Sequence, residues 1–370
     1  MVALAGAASL AQTDSQPDVQ TEAQTAPQRP TEMPPLSAGD AALASENYQR
    51  YCALCHGQDR AGYANDNAPS LTSKSLYAMG YLPIFRATAY GRAGTPMGPY
   101  VDDLGGPMSK GDIANLTRWL SEQAGVLPPL PGLEDFAIIP GNASLGEAIY
   151  RRECASCHGA DGEGGGEHQP GTALGNSSML AMTPDHFLRI AIAEGREGTL
   201  MRAYRDQLTE EEIDGVVAFL RSRATGWDIP AAPPSAPPTP ERYVLNPDGQ
   251  PPTFTLSEGR YIDSEQLDKA LRQKKRIILL DTRLPYLWAT GHIRGAIPIP
   301  YYSEFDEIVE NLPDKDTWIV AYCECPRAAS NSVVNNLRER GYNNTAVIWE
   351  GYGGWVAKGY PSAVGAVETN

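Results

Sequence analysis

Four of the six cysteines fall into two copies of one short pattern, Cys52-Ala53-Leu54-Cys55-His56 and Cys154-Ala155-Ser156-Cys157-His158. Two of the five histidines sit directly after these pairs. Three chemistries use cysteines at this spacing. A tetrahedral zinc site needs four ligands, and one Cys pair plus the very next His cannot all point at one ion. Pooling both pairs supplies four sulfurs but leaves each His to another task. A thioredoxin-like dithiol belongs beside a strand–helix–strand pattern, which is absent around these pairs. The third chemistry is covalent haem: Cys52 with Cys55, and Cys154 with Cys157, bond the macrocycle, and His56 or His158 reaches the iron. Two such motifs favour this reading, with two haems c.

Each iron then needs a sixth ligand. Met97, in Gly-Arg-Ala-Gly-Thr-Pro-Met, follows His56 by 41 residues, and Met201, in Gly-Arg-Glu-Gly-Thr-Leu-Met, follows His158 by 43. A thioether favours reduced iron and raises its potential, as suits an electron carrier. The alternative is that these methionines fill core space, as Met79, Met108, Met179 and Met182 can. His168 and His186 are rival ligands for the second haem, ranked below Met201 because the first copy has no counterpart to them.

These motifs lie in an internal repeat. Residues 47–59 match 149–161, the Gly-Thr-x-Met blocks follow, and the amphipathic stretches KGDIANLTRWL and EEEIDGVVAFL come next in the same order. Three matching blocks in one order indicate a duplicated helical unit. Residues 37–225 resemble two tandem class I c-type cytochrome domains. The resemblance implies that a proline carbonyl orients each ligand His, and Pro69 and Pro170 occupy suitable places. The second copy departs from the pattern with Gly-Thr-Leu-Met where Gly-Thr-Pro-Met is usual.

The third cysteine pair, Cys323 and Cys325, follows the apolar run WIVAYC and precedes a helical stretch that ends at Gly341. A thiolate at the end of such a strand faces the positive N-terminal end of the next helix, which lowers its pKa and marks a nucleophile. The bland alternative is a buried or disulfide-bonded pair. Residues 257–364 resemble a rhodanese domain, through LLDTRLPYLWATGHIRGAIPIP (279–300) and WEGYGGWVAKGYP (349–361). The resemblance implies that Cys323 accepts a sulfane sulfur as a persulfide in sulfurtransferase-like chemistry. It gives Asp281, Arg283 and His292 structural roles. The loop departs from the family, with Pro326 standing where a glycine is usual and removing an amide donor. Glu324 opposes thiolate formation, Arg327 favours it by stabilising the anion, and Cys325 is placed to resolve a Cys323 persulfide.

The elements that must position these groups follow from texture. The fold expected is multidomain: two all-α cytochrome c domains, then an α/β rhodanese-like domain with a central parallel sheet. Residues 1–36 read as an apolar signal-like segment, with Ser9-Leu10-Ala11 as cleavage site, and a disordered leader. Residues 37–125 form the first helical domain, 126–142 a connection, and 143–226 the second. Residues 227–256 form a Pro-rich linker, 257–364 the α/β domain and 365–370 a tail. Ten linker residues in polyproline conformation could hold their flanks about 30 Å apart. The net charge of −15 argues against nucleic acid and suits docking to partners with basic patches, here respiratory electron-transfer proteins and a small inorganic sulfur compound. The signal-like segment places the chain in the periplasm, and no apolar run approaches the ~20 residues of a membrane span.

Overall fold

The path of the chain around each Cys-x-x-Cys-His motif is set by helix signals. The computed structural model describes residues 35–62, 68–125, 137–164, 171–224, 239–324 and 327–365. The signal-like segment, His168, Pro170, Cys325 and Pro326, and most of the connection and linker, lie outside them.

In the first repeat, α1 (Ala38–Tyr51) starts at Ser37, whose hydroxyl accepts from the Asp40 N–H, so an orphan donor of the first turn is satisfied. It breaks at Cys52, and a single further turn, α2 (Ala53–His56), ends at Gly57 with φ 81°. Helices α3 (Leu82–Tyr90) and α4 (Lys110–Gln123) follow, the latter opened by a Ser109/Asp112 capping box. The second repeat runs through α5 (Ala143–Glu153), α6 (Ala155–His158), α7 (Ser177–Met182), α8 (Asp185–Glu194) and α9 (Glu210–Ser222). A Thr209/Glu212 capping box opens α9.

Packing repeats with sequence. Helix α1 packs on α4, and α5 on α9. Tyr48 meets Trp119 at 5.8 Å between ring centres, and Tyr150 meets Phe219 at 5.2 Å. The α5–α9 crossing is tight: a Cβ on Gly146 would lie 1.9 Å from the Gly215 carbonyl oxygen. None of the described helices is long and apolar enough to cross a membrane.

The C-terminal domain contains β1 (Val244–Leu245), β2 (Tyr261–Ile262), β3 (Ile277–Asp281), β4 (His292–Ile293), β5 (Ile297–Pro298), β6 (Trp318–Tyr322), β7 (Thr345–Ile348) and β8 (Ser362–Ala363). Its helices are α10 (Ser264–Arg272), α11 (Pro285–Thr290), α12 (Phe305–Glu310), α13 (Ala328–Glu339) and α14 (Gly351–Ala357). The main sheet has the order β1-β3-β6-β7-β2, with β5 also on β3. Strand β3 explains the unbroken apolar run: Ile278 and Leu280 enter one core and Ile277 and Leu279 the other. A strand covered on both faces needs no alternation.

The sheet is mixed rather than parallel. The edge strand β1 runs antiparallel to β3, pairing Val244 with Ile278 and Leu245 with Ile277. It comes from residues expected to be linker, so the sheet takes in a strand that precedes residue 257. A two-residue strand carries too little pattern to stand out behind a Pro-rich stretch.

The linker expectation allowed the domains to stand apart, but the α/β domain sits on the first repeat. Leu284 is 2% exposed and completes the first repeat's core, with Tyr286, Tyr301 and Tyr302 packed against it. Tyr51 and Tyr302 meet edge to face at 5.2 Å. Helix α2, which carries the first Cys-x-x-Cys-His, packs against α13.

Candidate redox and thiol sites

The break between α1 and α2 turns the two cysteines of the first motif and the His56 ring toward one side. His56 is buried, and its Nδ1 lies 2.8 Å from the Pro69 carbonyl oxygen. In the second repeat the His158 Nδ1 lies 2.8 Å from the carbonyl of Thr172. Pro170, for which an orienting role was expected, lies outside the described residues. Burial lowers the pKa of both imidazoles against the opposing effect of those carbonyls. The neutral ring with Nδ1 engaged leaves Nε2 as the nitrogen suited to a metal. Burial likewise pushes the Cys52 and Cys154 thiols up to about 12.

The methionine loops are built alike. The Arg92 N–H donates to the Met97 carbonyl at 2.6 Å, and the Arg196 N–H to the Met201 carbonyl at 2.8 Å. The Thr95 and Thr199 hydroxyls each accept from the N–H of their methionine at 3.2 Å. A Cβ on Gly91 or Gly195 would fall 2.6 or 2.5 Å from the methionine carbonyl oxygen, at φ 74° and 69°. Only glycine allows that return of the chain.

One cavity of about 690 Å³ runs through both repeats. Cys52, Cys55, His56 and Met97 line it in one repeat, and Cys154, Cys157, His158 and Met201 in the other. Met79, Met179 and Met182 also line it, whereas Met108 is buried in the first core. His186 is exposed on the outer side of α8. Among the described residues, no three His, Cys, Asp or Glu side chains gather as a metal cluster. Arg92 also lines the cavity, with a buried Nη1 that has no partner among the described residues. A carboxylate-bearing ligand satisfies that cation, and the two thiols, imidazole and thioether match what covalent haem requires.

Cys323 follows β6 and is 5% exposed. Its Sγ–H donates to the Glu324 carbonyl at 2.9 Å, and Ser330 Oγ lies 3.3 Å from the sulfur. The helix-end argument predicts a lowered pKa, but the thiol is pushed up to about 11. Burial is the largest cause; Ser330 opposes it, and Glu324 and Asp281 add to it. The correction has a clear origin, since removing a thiolate from water outweighs one hydroxyl and one amide. Ser330 is the residue the sequence reading passed over. Its signal was a hydroxyl in the first turn after the loop.

Arg327 does not reach the sulfur's hydrogen-bond set. Its guanidinium lies over Trp349 at 3.7 Å and donates to the Trp349 carbonyl at 2.9 Å. Its backbone takes φ 75° at the N-cap of α13, which turns the side chain outward. Arg283 is the buried cation instead. It pairs with Asp281 at 2.6 Å and with Glu324 at 2.9 Å, and lies over the Tyr352 ring at 4.1 Å. Asp281 also accepts from the Tyr322 hydroxyl at 2.8 Å. His292 stacks on Trp288 at 4.4 Å and is fully buried. These three signature residues tie strands and loops together behind Cys323.

Comparison with known proteins fits this division. The family model "Cytochrome C oxidase, cbb3-type, subunit III" matches residues 141–220, and "Rhodanese-like domain" matches 263–358. A Pseudomonas aeruginosa dihydro-heme d1 dehydrogenase is 34% identical over 84 residues, 23% of this chain. The chain spans only 16% of that relative's length. An Arabidopsis thaliana protein named dual specificity phosphatase Cdc25 is 31% identical over 112 residues, 27% of this chain and 75% of that one. Among solved structures, a chain of a Kuenenia stuttgartiensis reducing HAO-like protein complex matches at 18% identity and TM-score 0.33, over 53% of this chain and 99% of that chain. The chain therefore carries a cytochrome c domain, matched over 141–220, fused to a C-terminal rhodanese-like domain, matched over 263–358, and the former implies covalently bound haem c and electron-transfer partners.

Proposed function

We propose that the protein is an exported, periplasmic dihaem c-type cytochrome that couples electron transfer to sulfane-sulfur chemistry at Cys323. The observation that carries this reading is the single cavity lined by two Cys-Cys-His-Met sets, with the Cys323 domain seated beside the first. Residues 37–125 are then a second cytochrome c domain. Cys52, Cys55, His56 and Met97 hold one haem, and Cys154, Cys157, His158 and Met201 the other. The Pro69 and Thr172 carbonyls fix the rings, and Arg92 takes a haem carboxylate.

At the thiol site, Ser330 steadies the developing sulfur anion and Arg283 holds Glu324 aside. Joining the Cys323 thiolate to a hydrosulfide forms one S–S bond and releases a proton to solvent and two electrons. When bound, each haem takes up and returns one electron, so the pair matches that stoichiometry. Cys325 is placed in sequence to attack the persulfide, releasing hydrosulfide and leaving a Cys323–Cys325 disulfide. The partner is a respiratory electron-transfer protein with a basic docking patch.

Titration of the oxidised full chain with sulfide, thiosulfate and polysulfide tests this, with haem absorbance and the mass of the C-terminal peptide as readouts. Reduction by at least one donor, lost in Cys323→Ser, supports the proposal; no reduction, or equal reduction in the variant, overturns it. The raised Cys323 pKa favours a second reading, a docking or redox-sensing module without turnover. A Cys323 that never gains sulfur mass would establish that alternative.

A further inference from the structure

The rhodanese-like domain meets the first repeat through a specific polar junction. Tyr301 Oη lies 2.9 Å from Tyr100 Oη. The Tyr51 carbonyl oxygen is within hydrogen-bond reach of both, at 3.2 Å from Tyr100 Oη, and accepts from the hydroxyl that does not donate to the other. Tyr51 and Tyr100 line the cavity beside Cys52.

The same tyrosine leads back to the thiol. The Tyr301 N–H donates to the Thr282 carbonyl at 3.2 Å. Thr282 donates to the Tyr322 carbonyl through its N–H and its hydroxyl, both at 2.9 Å. Tyr322 is bonded to Cys323. Covalent and hydrogen bonds therefore connect Cys323 to the wall of the first redox site without a gap. The cavity then continues from the first repeat into the second.

We infer that the first repeat is the port through which the rhodanese-like domain exchanges electrons, and that the Tyr301–Tyr100 pair positions its junction. This rests on the proposed sulfur chemistry and gives it an order: Cys323, the first haem, the second haem, the external partner. With haem held at Cys52, Cys55, His56 and Met97, the junction would pass electrons singly, with no atom transferred across it. Tyr301 and Tyr100 remain phenols throughout and act by fixing the approach of the two sites.

The test uses single-haem forms of the full chain, Cys154→Ser/Cys157→Ser and Cys52→Ser/Cys55→Ser, each in a Cys325→Ser background. Carboxymethylation of Cys323 with iodoacetate adds a negative charge there, and carbamidomethylation with iodoacetamide serves as the neutral control. Negative charge stabilises ferric iron, so the iodoacetate adduct lowers the midpoint potential of the first haem relative to that control. The second haem stays put. An equal or larger shift in the form retaining only the second motif overturns the port assignment, whatever the sulfur chemistry. In the two-haem chain, Tyr301→Phe loses most of the Cys323-dependent rate of haem reduction by sulfide. Dithionite reduction and the final persulfide mass stay as in wild type. An unchanged sulfide rate in Tyr301→Phe overturns the junction. If sulfide gives no Cys323-dependent reduction in wild type, the sulfur function falls, and the potential shifts still decide the port.

Discussion

The His158 Nδ1 and the Thr172 carbonyl oxygen stand 2.8 Å apart, the spacing that His56 and Pro69 show in the first repeat. The acceptor is backbone, so the side chain is immaterial and the path of the chain decides. Gly171 permits that path, because a Cβ there would lie 2.5 Å from the Cys157 carbonyl oxygen and 2.8 Å from His158 Nδ1. Gly171→Ala is therefore expected to lose the second haem, while Thr172→Ala keeps it. Haem-to-chain ratios of the purified proteins check this. Equal haem content in both variants would show that the carbonyl does not seat the ring.

The methionine assignment predicts a selective effect on potential. Met97→Ala and Met201→Ala should each lower the potential of one haem, because a thioether favours ferrous iron. Met79→Leu, Met179→Leu and Met182→Leu keep the volume and cost under about 1.5 kcal/mol, so both potentials should hold. Redox titration of the full chain separates the cases. A fall in Met179→Leu matching that of Met201→Ala would transfer the ligand role to Met179, which also lines the cavity.

The sequence carried the local chemistry and missed the contacts between domains. The Cys-x-x-Cys-His pairs, the Gly-Thr-x-Met loops and the β3 run sit in short windows where spacing alone constrains geometry. The Tyr301–Tyr100 bond joins residues 201 apart in sequence, and no periodicity announces it. Arg327 lies over Trp349 from a backbone at φ 75°, a placement that charge counting does not foretell. The direction of the Cys323 shift was missed for a related reason. The helix end is legible in sequence, but the degree of burial that outweighs it is not.

Burial of Cys323 gives a pH signature. A thiol near its ordinary value unfolded and about 11 folded means that, between those pH values, the unfolded chain has shed a proton the native one keeps. Stability therefore falls as pH rises through that window, by up to about 3 kcal/mol. The full loss is reached only above about 11. Denaturant titrations from pH 8 to 11 should show a shallower alkaline fall in Cys323→Ala than in wild type. Iodoacetamide labelling in Cys325→Ser should keep accelerating across the same range. A labelling rate already flat at pH 8 would mean a preformed thiolate.

Glu324 and Arg283 set that thiol's surroundings from opposite sides. Glu324→Gln removes a carboxylate that raises the Cys323 pKa, so labelling at pH 8 should quicken. Arg283→Met leaves Asp281 buried at 0% exposure without its cation. An uncompensated buried charge costs about 3–5 kcal/mol, and the C-terminal unfolding transition should drop accordingly. A loss under about 1 kcal/mol would show that the remaining partners of Asp281, the Tyr322 hydroxyl among them, suffice to hold it.

Docking of the two domains should depend on apolar packing and little on charge. The Arg50–Glu304 pair is 41% and 64% exposed, and such pairs contribute roughly 0–1 kcal/mol. Glu304→Gln should leave the domains engaged at any salt concentration. Leu284 is 2% exposed within the first repeat's core, so Leu284→Ala removes packed volume worth about 2–5 kcal/mol. Hydrogen exchange reads the difference at Tyr51, Tyr100 and Tyr301, whose amides should lose protection in Leu284→Ala and keep it in Glu304→Gln. The reverse pattern, or salt-dependent opening of wild type, would place the docking energy in the ion pair and not in the buried leucine.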